Sequence, residues 1–273
     1  MKNPILIIIR GILPRNLRGS MTEGMLWLMS KSNVAAFLLG LFGFLYWGRR
    51  IKKVNEVKEG KGIISVITSQ RWLVFRENWT CVFDGMHNWP FKPQKGDIFI
   101  DVGAYVGVFT LEGAQAVGET GSVIAVEPEP RNRDLLLKNI QANGIKNVTL
   151  VTKAIGDEKG KAKLYLSSHS ASHSISQRVG DNYIEVDVDT LDNLVSELGL
   201  KRVDFIKIDA EGSELEVLKG AGNILGYPNV RLAIEATHTL ANGEPEFPEV
   251  LAYLKAIGAK TLVKGDYIFA ETV

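Results

Sequence analysis

Two short stretches, Asp101-Val-Gly-Ala-Tyr-Val-Gly107 and Lys207-Ile-Asp-Ala-Glu-Gly-Ser-Glu214, each stand where an apolar, β-like run stops and a helix-like run begins. Open parallel α/β sheets place their ligand site in the crevice beyond the carboxyl ends of such strands, so a fold is sought that brings both junctions to one edge. The first stretch follows Asp97-Ile-Phe-Ile-Asp-Val102, and its glycines at 103 and 107 remove a Cβ from the path of an approaching molecule. The loop reads as a cofactor cradle.

Glycine spacing narrows the cofactor. A dinucleotide loop reads G-x-G-x-x-G and aims helix N-terminal amides at a pyrophosphate. Here the pattern is D-x-G-x-x-x-G, with the bulky Tyr105 where a second phosphate-facing glycine belongs, while the acid at 101 suits an amino group. The next apolar run, Ser122 to Val126, ends in Glu127, which is placed to accept two hydrogen bonds from a ribose diol. Together these describe a nucleoside with an amino-acid tail.

With those residues in view, positions from roughly 95 to 270 resemble a class I S-adenosylmethionine-dependent methyltransferase of the FkbM family. The resemblance rests on Gly96-Asp97 leading into Asp101-Val-Gly-Ala104, on Val126-Glu-Pro128 with Asn132, and on Ala154-Ile-Gly-Asp157, Asp189-Thr-Leu-Asp192 and the 207–214 stretch. It implies an α/β, Rossmann-like seven-stranded methyltransferase sheet, mostly parallel with an antiparallel terminal hairpin. It implies S-adenosyl-L-methionine as cofactor, with Asp101, Gly103, Ala104, Tyr105 and Gly107 around the methionine part, Glu127 on the ribose, Asn132 beside it, and Ala154, Ile155 and Asp157 bordering the adenine. It also implies O-methylation of a hydroxyl on a small molecule, sugar, or glycan- or lipid-linked acceptor. A nicotinamide-dependent oxidoreductase shares the topology but not the glycine spacing. An inactive, membrane-associated nucleoside-binding scaffold would carry a degraded cradle.

Methyl transfer to a hydroxyl needs alignment and removal of a proton. The residues placed for this work are Lys207, Asp209 and Glu211 beyond one strand, and Glu235 and His238 beyond the next. A structural reading also accounts for the acids of the motif: Asp209 as the cap of the following helix, with Glu211 and Glu214 at its positive end. Asp209, Glu211 and Glu235 with His238 also offer ligands to a divalent cation, although no metal is assigned.

Between these motifs, helix-like and extended patterns alternate as βα units: 108–117 then 122–126, 131–143 then 148–152, 191–198 then 203–208, 215–225 then 230–234, followed by a helix at 248–257 and short strands at 260–263 and 267–270. Residues 156–187 break the alternation with a polar run, 167–174, and a strand-like 183–188. Long polar loops of this kind are often lids or substrate contacts, which singles out His169 and His173. Trp72, Trp79 and Trp89 precede the cradle, as core anchors or as faces for a sugar ring.

The N-terminal portion differs in chemistry. Residues 1–60 carry ten Lys and Arg against three Glu, whereas the whole chain is at +1, so the remainder is acidic. Basicity confined to an apolar segment suits an anionic membrane surface, and no nucleic-acid partner is expected. The apolar run Val34 to Trp47 reaches only about 20 Å as a helix, short of the roughly 30 Å hydrocarbon core. It reads equally as a single span through 33–48, flanked by Trp47 and Arg49-Arg50, or as an interfacial or packed helix. The expected organisation is an extension at 1–60, a lead-in at 61–94 and a catalytic domain at 95–273, on the cytoplasmic side of any membrane. The single cysteine, Cys81, excludes an intrachain disulfide and fits a reducing compartment.

Overall fold

A computed structural model of the chain describes residues 64–68, 71–76, 79–83, 86, 89–166, 173–177, 181–238 and 243–273, the first three segments by backbone alone. The apolar run at 33–48 and His169 lie outside the described residues. Among the described residues no helix is long and apolar enough to cross a membrane.

The lead-in folds as an antiparallel sheet of β1 (Ile64–Thr68), β2 (Arg71–Arg76) and β3 (Trp79–Phe83). Then β4 (Ile98–Val102), α1 (Val108–Val117), β5 (Ser122–Val126), α2 (Pro130–Ala142) and β6 (Val148–Val151) form two successive βα units. β7 (Ala154–Ile155), β8 (Gly160–Tyr165) and β9 (Tyr183–Asp189) make a second small sheet, in order β7-β9-β8. The chain finishes with α3 (Leu191–Glu197), β10 (Phe205–Ile208), α4 (Glu214–Lys219), α5 (Gly222–Leu225), β11 (Arg231–Glu235), α6 (Phe247–Ala256), β12 (Lys260–Lys264) and β13 (Tyr267–Glu271).

The seven-stranded sheet runs β12-β13-β11-β10-β4-β5-β6. Its five strands from β11 to β6 are parallel, and β13 is antiparallel to both of its neighbours. The central strands are apolar on both faces, as burial between two helical layers requires. Alternate residues part to opposite sides: Ile100, Ile124, Ile206 and Ile234 join α3 to α6 in one core, whereas Phe99, Val123, Phe205 and Phe269 pack against α1 and the lead-in residues Trp89 and Phe91. Each such fully buried side chain contributes about 1.5–3 kcal/mol.

From β4 the chain winds outward through β5 to β6, then returns to β10 on the other side of β4. The switch point lies between β4 and β10, at the ends of which the two motifs stand. Local chemistry sets the helix boundaries. Glu129 caps α2 by accepting the Asn132 N–H at 2.6 Å, with Pro130 at the first helical position, and the helix stops at Asn143 before Gly144 in the left-handed region.

Two expectations change. The single helix at 215–225 is two, α4 and α5, because the chain bends at Gly220, where a Cβ would come within 2.1 Å of the Gly156 carbonyl oxygen. Within 156–187 an unexpected strand, β8, pairs antiparallel with β9, the strand expected at 183–188. β8 reads as polar since only Leu164 on it is fully buried, so periodicity hides it.

Candidate functional site

A cavity of about 460 Å³ opens at the carboxyl ends of β4, β5, β10 and β11. One end is built by the loop after β4 and the tip of β5. Gly103, Ala104 and Tyr105 line it, as do Val126, Glu127, Asn132, Ala154, Ile155 and Leu164. The loop's own amides are used internally: Gly103 and Ala104 N–H both donate to the Val126 carbonyl, Tyr105 N–H to Glu127 Oε2 at 2.8 Å, and Gly107 N–H to the Ala104 carbonyl. These four amides are spent and not available to a diphosphate, and one of them fixes Glu127 instead.

Glu127 is buried and also accepts from Glu129 N–H at 2.9 Å and, at 3.5 Å, from Asn132 Nδ2. Burial raises its carboxyl to about 7 against these donors. An ionised carboxylate has about four acceptor positions; two backbone N–H groups take two and the long Asn132 contact a third, which leaves one open for a ligand hydroxyl and a second where a hydroxyl displaces Asn132.

The other end is acidic. Lys207, Asp209, Glu211, Glu235, Asp266 and Tyr267 line it. Lys207 is buried, and its Nζ donates to the Gly103 carbonyl and to Asp209 Oδ2, both at 3.1 Å, with Asp101 Oδ1 at 3.6 Å. Burial opposes its charge, yet Asp209 and Asp101 more than offset this and raise its pKa, so it remains a cation rather than a base. Glu235 accepts from the Tyr267 hydroxyl at 2.7 Å, a pairing set by their register across β11 and β13. Burial first, then the Asp209 carboxylate, holds Glu235 above the usual carboxylate range.

Tyr105 and Glu211 both sit at φ 53°, the left-handed region that costs a non-glycine residue about 1–2 kcal/mol. The surroundings hold both in place, through Tyr105 N–H on Glu127 and through the Ser174 hydroxyl, which donates to the Glu211 carbonyl at 2.7 Å.

Several expected site residues stand outside the cavity wall. Asp101 lies beneath it, accepting from the Thr110 hydroxyl at 2.6 Å, and the amino group it faces is that of Lys207. Gly107 serves packing: it caps α1 at φ 100°, and a Cβ there would meet Leu136 Cδ1 at 2.4 Å. Asp157 is exposed before β8 and does not line the cavity, whereas Ala154 and Ile155 do. Asp209 is not a helix cap, because α4 begins only at Glu214, whose side chain instead accepts from the N–H groups of Ala210 and Gly212.

His238 lies behind the wall, with Nε2 3.1 Å from Glu211 Oε2 and Nδ1 3.1 Å from Glu214 Oε1. Burial disfavours its charge, but the two carboxylates outweigh that and raise it to about 11, which removes it as a neutral-pH base. Asp209, Glu211 and His238 do converge within 4.8 Å, without Glu235.

Of the other lining residues, His173 was singled out in the sequence as a lid or substrate contact, whereas Phe109, Leu164, Ile175 and Tyr267 went unread. Phe109 and Tyr267 form an aromatic wall backed by Trp89, with ring centroids 5.2 and 5.1 Å from the Trp89 ring. Trp89 therefore packs the core. His173 and Ile175 reach the cavity from the polar segment after β8, as Leu164 does from β8 itself. Register was the missing signal for Tyr267, since only pairing with β11 places it opposite Glu235.

Residues 101–261 match the Methyltransferase FkbM domain. Methyltransferase 1 of Beauveria bassiana (strain ARSEF 2860) is 27% identical over 150 residues, 47% of this chain and 60% of that protein. The 31-O-demethyl-FK506 methyltransferase FkbM of Streptomyces tacrolimicus is 25% identical over 251 residues, 80% of this chain and 92% of that protein. The crystal structure of Methyltransferase FkbM from Methylobacillus flagellatus KT shares the fold, with a TM-score of 0.51 at 18% identity over 67% of this chain and 45% of that one. The match thus spans less than two thirds of the Beauveria protein and less than half of the crystallised chain.

Proposed function

The chain belongs to the FkbM methyltransferase family, and on that premise we propose that it transfers the methyl group of S-adenosylmethionine to a hydroxyl oxygen of a small molecule, sugar, or glycan- or lipid-linked acceptor. One observation carries this reading. A single cavity joins a buried carboxylate at the tip of β5 to a cluster of acids at the tips of β10 and β11.

The residues fit the cofactor. Glu127 has acceptor positions for the ribose hydroxyls, and Ala154, Ile155 and Leu164 form an apolar border for a base. Asp209, Glu211 and Glu235 provide a negative surround for a sulfonium. When bound, the cofactor supplies a methyl group already activated for displacement by an oxygen.

The protein then has to orient the acceptor and take its proton. Asp209 and Glu235 face the same space and are the bases for that proton. Lys207 and Tyr267 hold them in place by hydrogen bonds to Asp209 Oδ2 and Glu235 Oε2. The raised pKa of Glu235 brings it closer to the working pH of a general base. His238 acts through Glu211 and Glu214 as a positioning residue.

The reading is tested by incubating the protein with methyl-labelled S-adenosylmethionine and a panel of polyketide alcohols, free sugars and lipid-linked glycans, with and without a chelator. The expected product is an alkali-stable ether carrying the label. Label found only on nitrogen, or only as an alkali-labile ester, would refute it.

Cofactor affinity should also depend on pH through Glu127. Its ionised form accepts the ribose hydroxyls, so affinity is full above a pKa of about 7. Below that value the protonated carboxyl loses acceptor capacity, and affinity falls by up to about tenfold per pH unit. Calorimetry with S-adenosylhomocysteine from pH 5.5 to 8 reads this directly. Glu127→Gln should bind about 100-fold more weakly, with a flat profile. A flat profile in the unaltered protein would remove the ribose role of Glu127.

A further inference from the structure

Behind the acidic end of the cavity, three side chains from separate elements converge. Glu214 opens α4, His238 lies three residues beyond β11, and Glu246 immediately precedes α6. Each brings a ligand atom to within 4.8 Å of the other two. Two polar atoms of the trio, His238 Nδ1 and Glu246 Oε2, are buried and make no hydrogen bond among the described residues. His238 Nδ1 stands 3.1 Å from Glu214 Oε1, an ion-pair contact while the ring is protonated; on the neutral ring this nitrogen is a lone-pair donor facing two carboxylates. Glu246 is wholly buried. Native proteins satisfy nearly all such atoms, so two at one point call for a partner.

We propose that Glu214, His238 and Glu246 bind a divalent first-row transition cation, Zn²⁺ or Mn²⁺, which ties the motif loop, the exit of β11 and the start of α6 to one another. One imidazole nitrogen and two carboxylates are a donor set suited to these ions. The ligands are already oriented. Ala210 and Gly212 N–H hold the Glu214 carboxylate, Leu215 N–H holds Glu246 Oε1, and the Glu246 N–H donates to the His238 carbonyl.

On its far side, His238 Nε2 meets Glu211 at 3.1 Å. A carboxylate on the remote ring nitrogen is the usual outer partner of a metal-bound histidine, and it leaves the Nδ1 lone pair for the cation. The ion would also neutralise two adjacent buried carboxylates, whose repulsion is otherwise relieved only by a proton. The neighbouring set of Asp209, Glu211 and His238 is a weaker candidate, because Nε2 is engaged by Glu211 and Asp209 by Lys207.

The test uses untagged full-length protein, stripped with chelator and titrated with Zn²⁺ and separately with Mn²⁺. Calorimetry should show one cation per chain, with a raised thermal midpoint. Glu246→Gln keeps the size and the oxygen that accepts from Leu215 N–H but is a poor ligand, and should weaken binding at least about 100-fold. Glu211→Gln should weaken it about 10- to 100-fold. If Glu246→Gln does not fold, the Mn²⁺ complex of the unaltered protein should still show electron-spin coupling to an imidazole nitrogen. No saturable binding of either cation, unchanged affinity in Glu246→Gln, or a Mn²⁺ spectrum without nitrogen coupling overturns the proposal. None of these readouts depends on methyl transfer, so failure of the enzymatic reading leaves them interpretable.

Discussion

Replacing Asp209 with Asn is expected to lower kcat by about 10²- to 10⁴-fold, the range for loss of a general base, while S-adenosylmethionine affinity stays within about threefold. The substitution keeps the shape of the side chain and an oxygen that can accept from Lys207, whose Nζ stands 3.1 Å from Asp209 Oδ2. What it removes is a negative charge facing the acceptor space. That charge is also one cause of the raised pKa of Glu235. Asp209→Asn should therefore move Glu235 downward, and the acid limb of the residual pH–rate profile should shift to lower pH. Single-turnover kinetics across pH 5.5–8.5 separates the two acids. A large loss of rate together with that shift identifies Asp209 as the base. Near-normal turnover with a shifted limb transfers that role to Glu235, and Glu235→Gln should then be the silent variant's inactive counterpart.

The parallel core was legible because its strands are buried on both faces: the runs ending at Val102, Val126 and Ile208 need no alternation to be recognised. The same property places the motifs at one edge of the sheet, so the cavity follows from topology. Glycines were harder to read. The freedom of Gly103 and Gly107 shows in sequence, but its use does not: one admits the Asp209 carbonyl and the other admits Leu136. Neither neighbour is near in the chain. Asp101 was read as facing a ligand's amine, yet the amine is that of Lys207, more than a hundred residues on. Tyr267 and Glu246 were missed for a related reason. Each acquires meaning only from a partner, Glu235 or Glu214, brought close by strand register or helix packing.

Gly103→Ala should be the most damaging single methyl that can be added to this chain's site. A Cβ at position 103 would lie 1.9 Å from the Asp209 carbonyl oxygen and 3.0 Å from its carbon. The obstacle is backbone, anchored by Asp209 N–H on the Val102 carbonyl, and so cannot rotate away. Relief requires β4 and β10 to part at their tips, which stretches the Lys207 bond to the Gly103 carbonyl and moves Asp209. To this is added the strain of φ 75° for a residue with a side chain.

Left-handed strain of about 1 kcal/mol and overpacking of about 1–3 kcal/mol together predict a fall in melting temperature of roughly 5–15 °C for a domain of this size. Gly144→Ala provides the control. It has φ 65° with nothing within 4 Å of its Cβ, and so carries the strain without the collision. Calorimetric melting of both variants isolates the contact. Gly103→Ala should melt several degrees below Gly144→Ala and lose cofactor binding, whereas Gly144→Ala keeps it. Equal melting temperatures with intact cofactor binding in both would mean that the strand tips yield without cost, and the close approach of the two motifs would lose its place in the argument for the site.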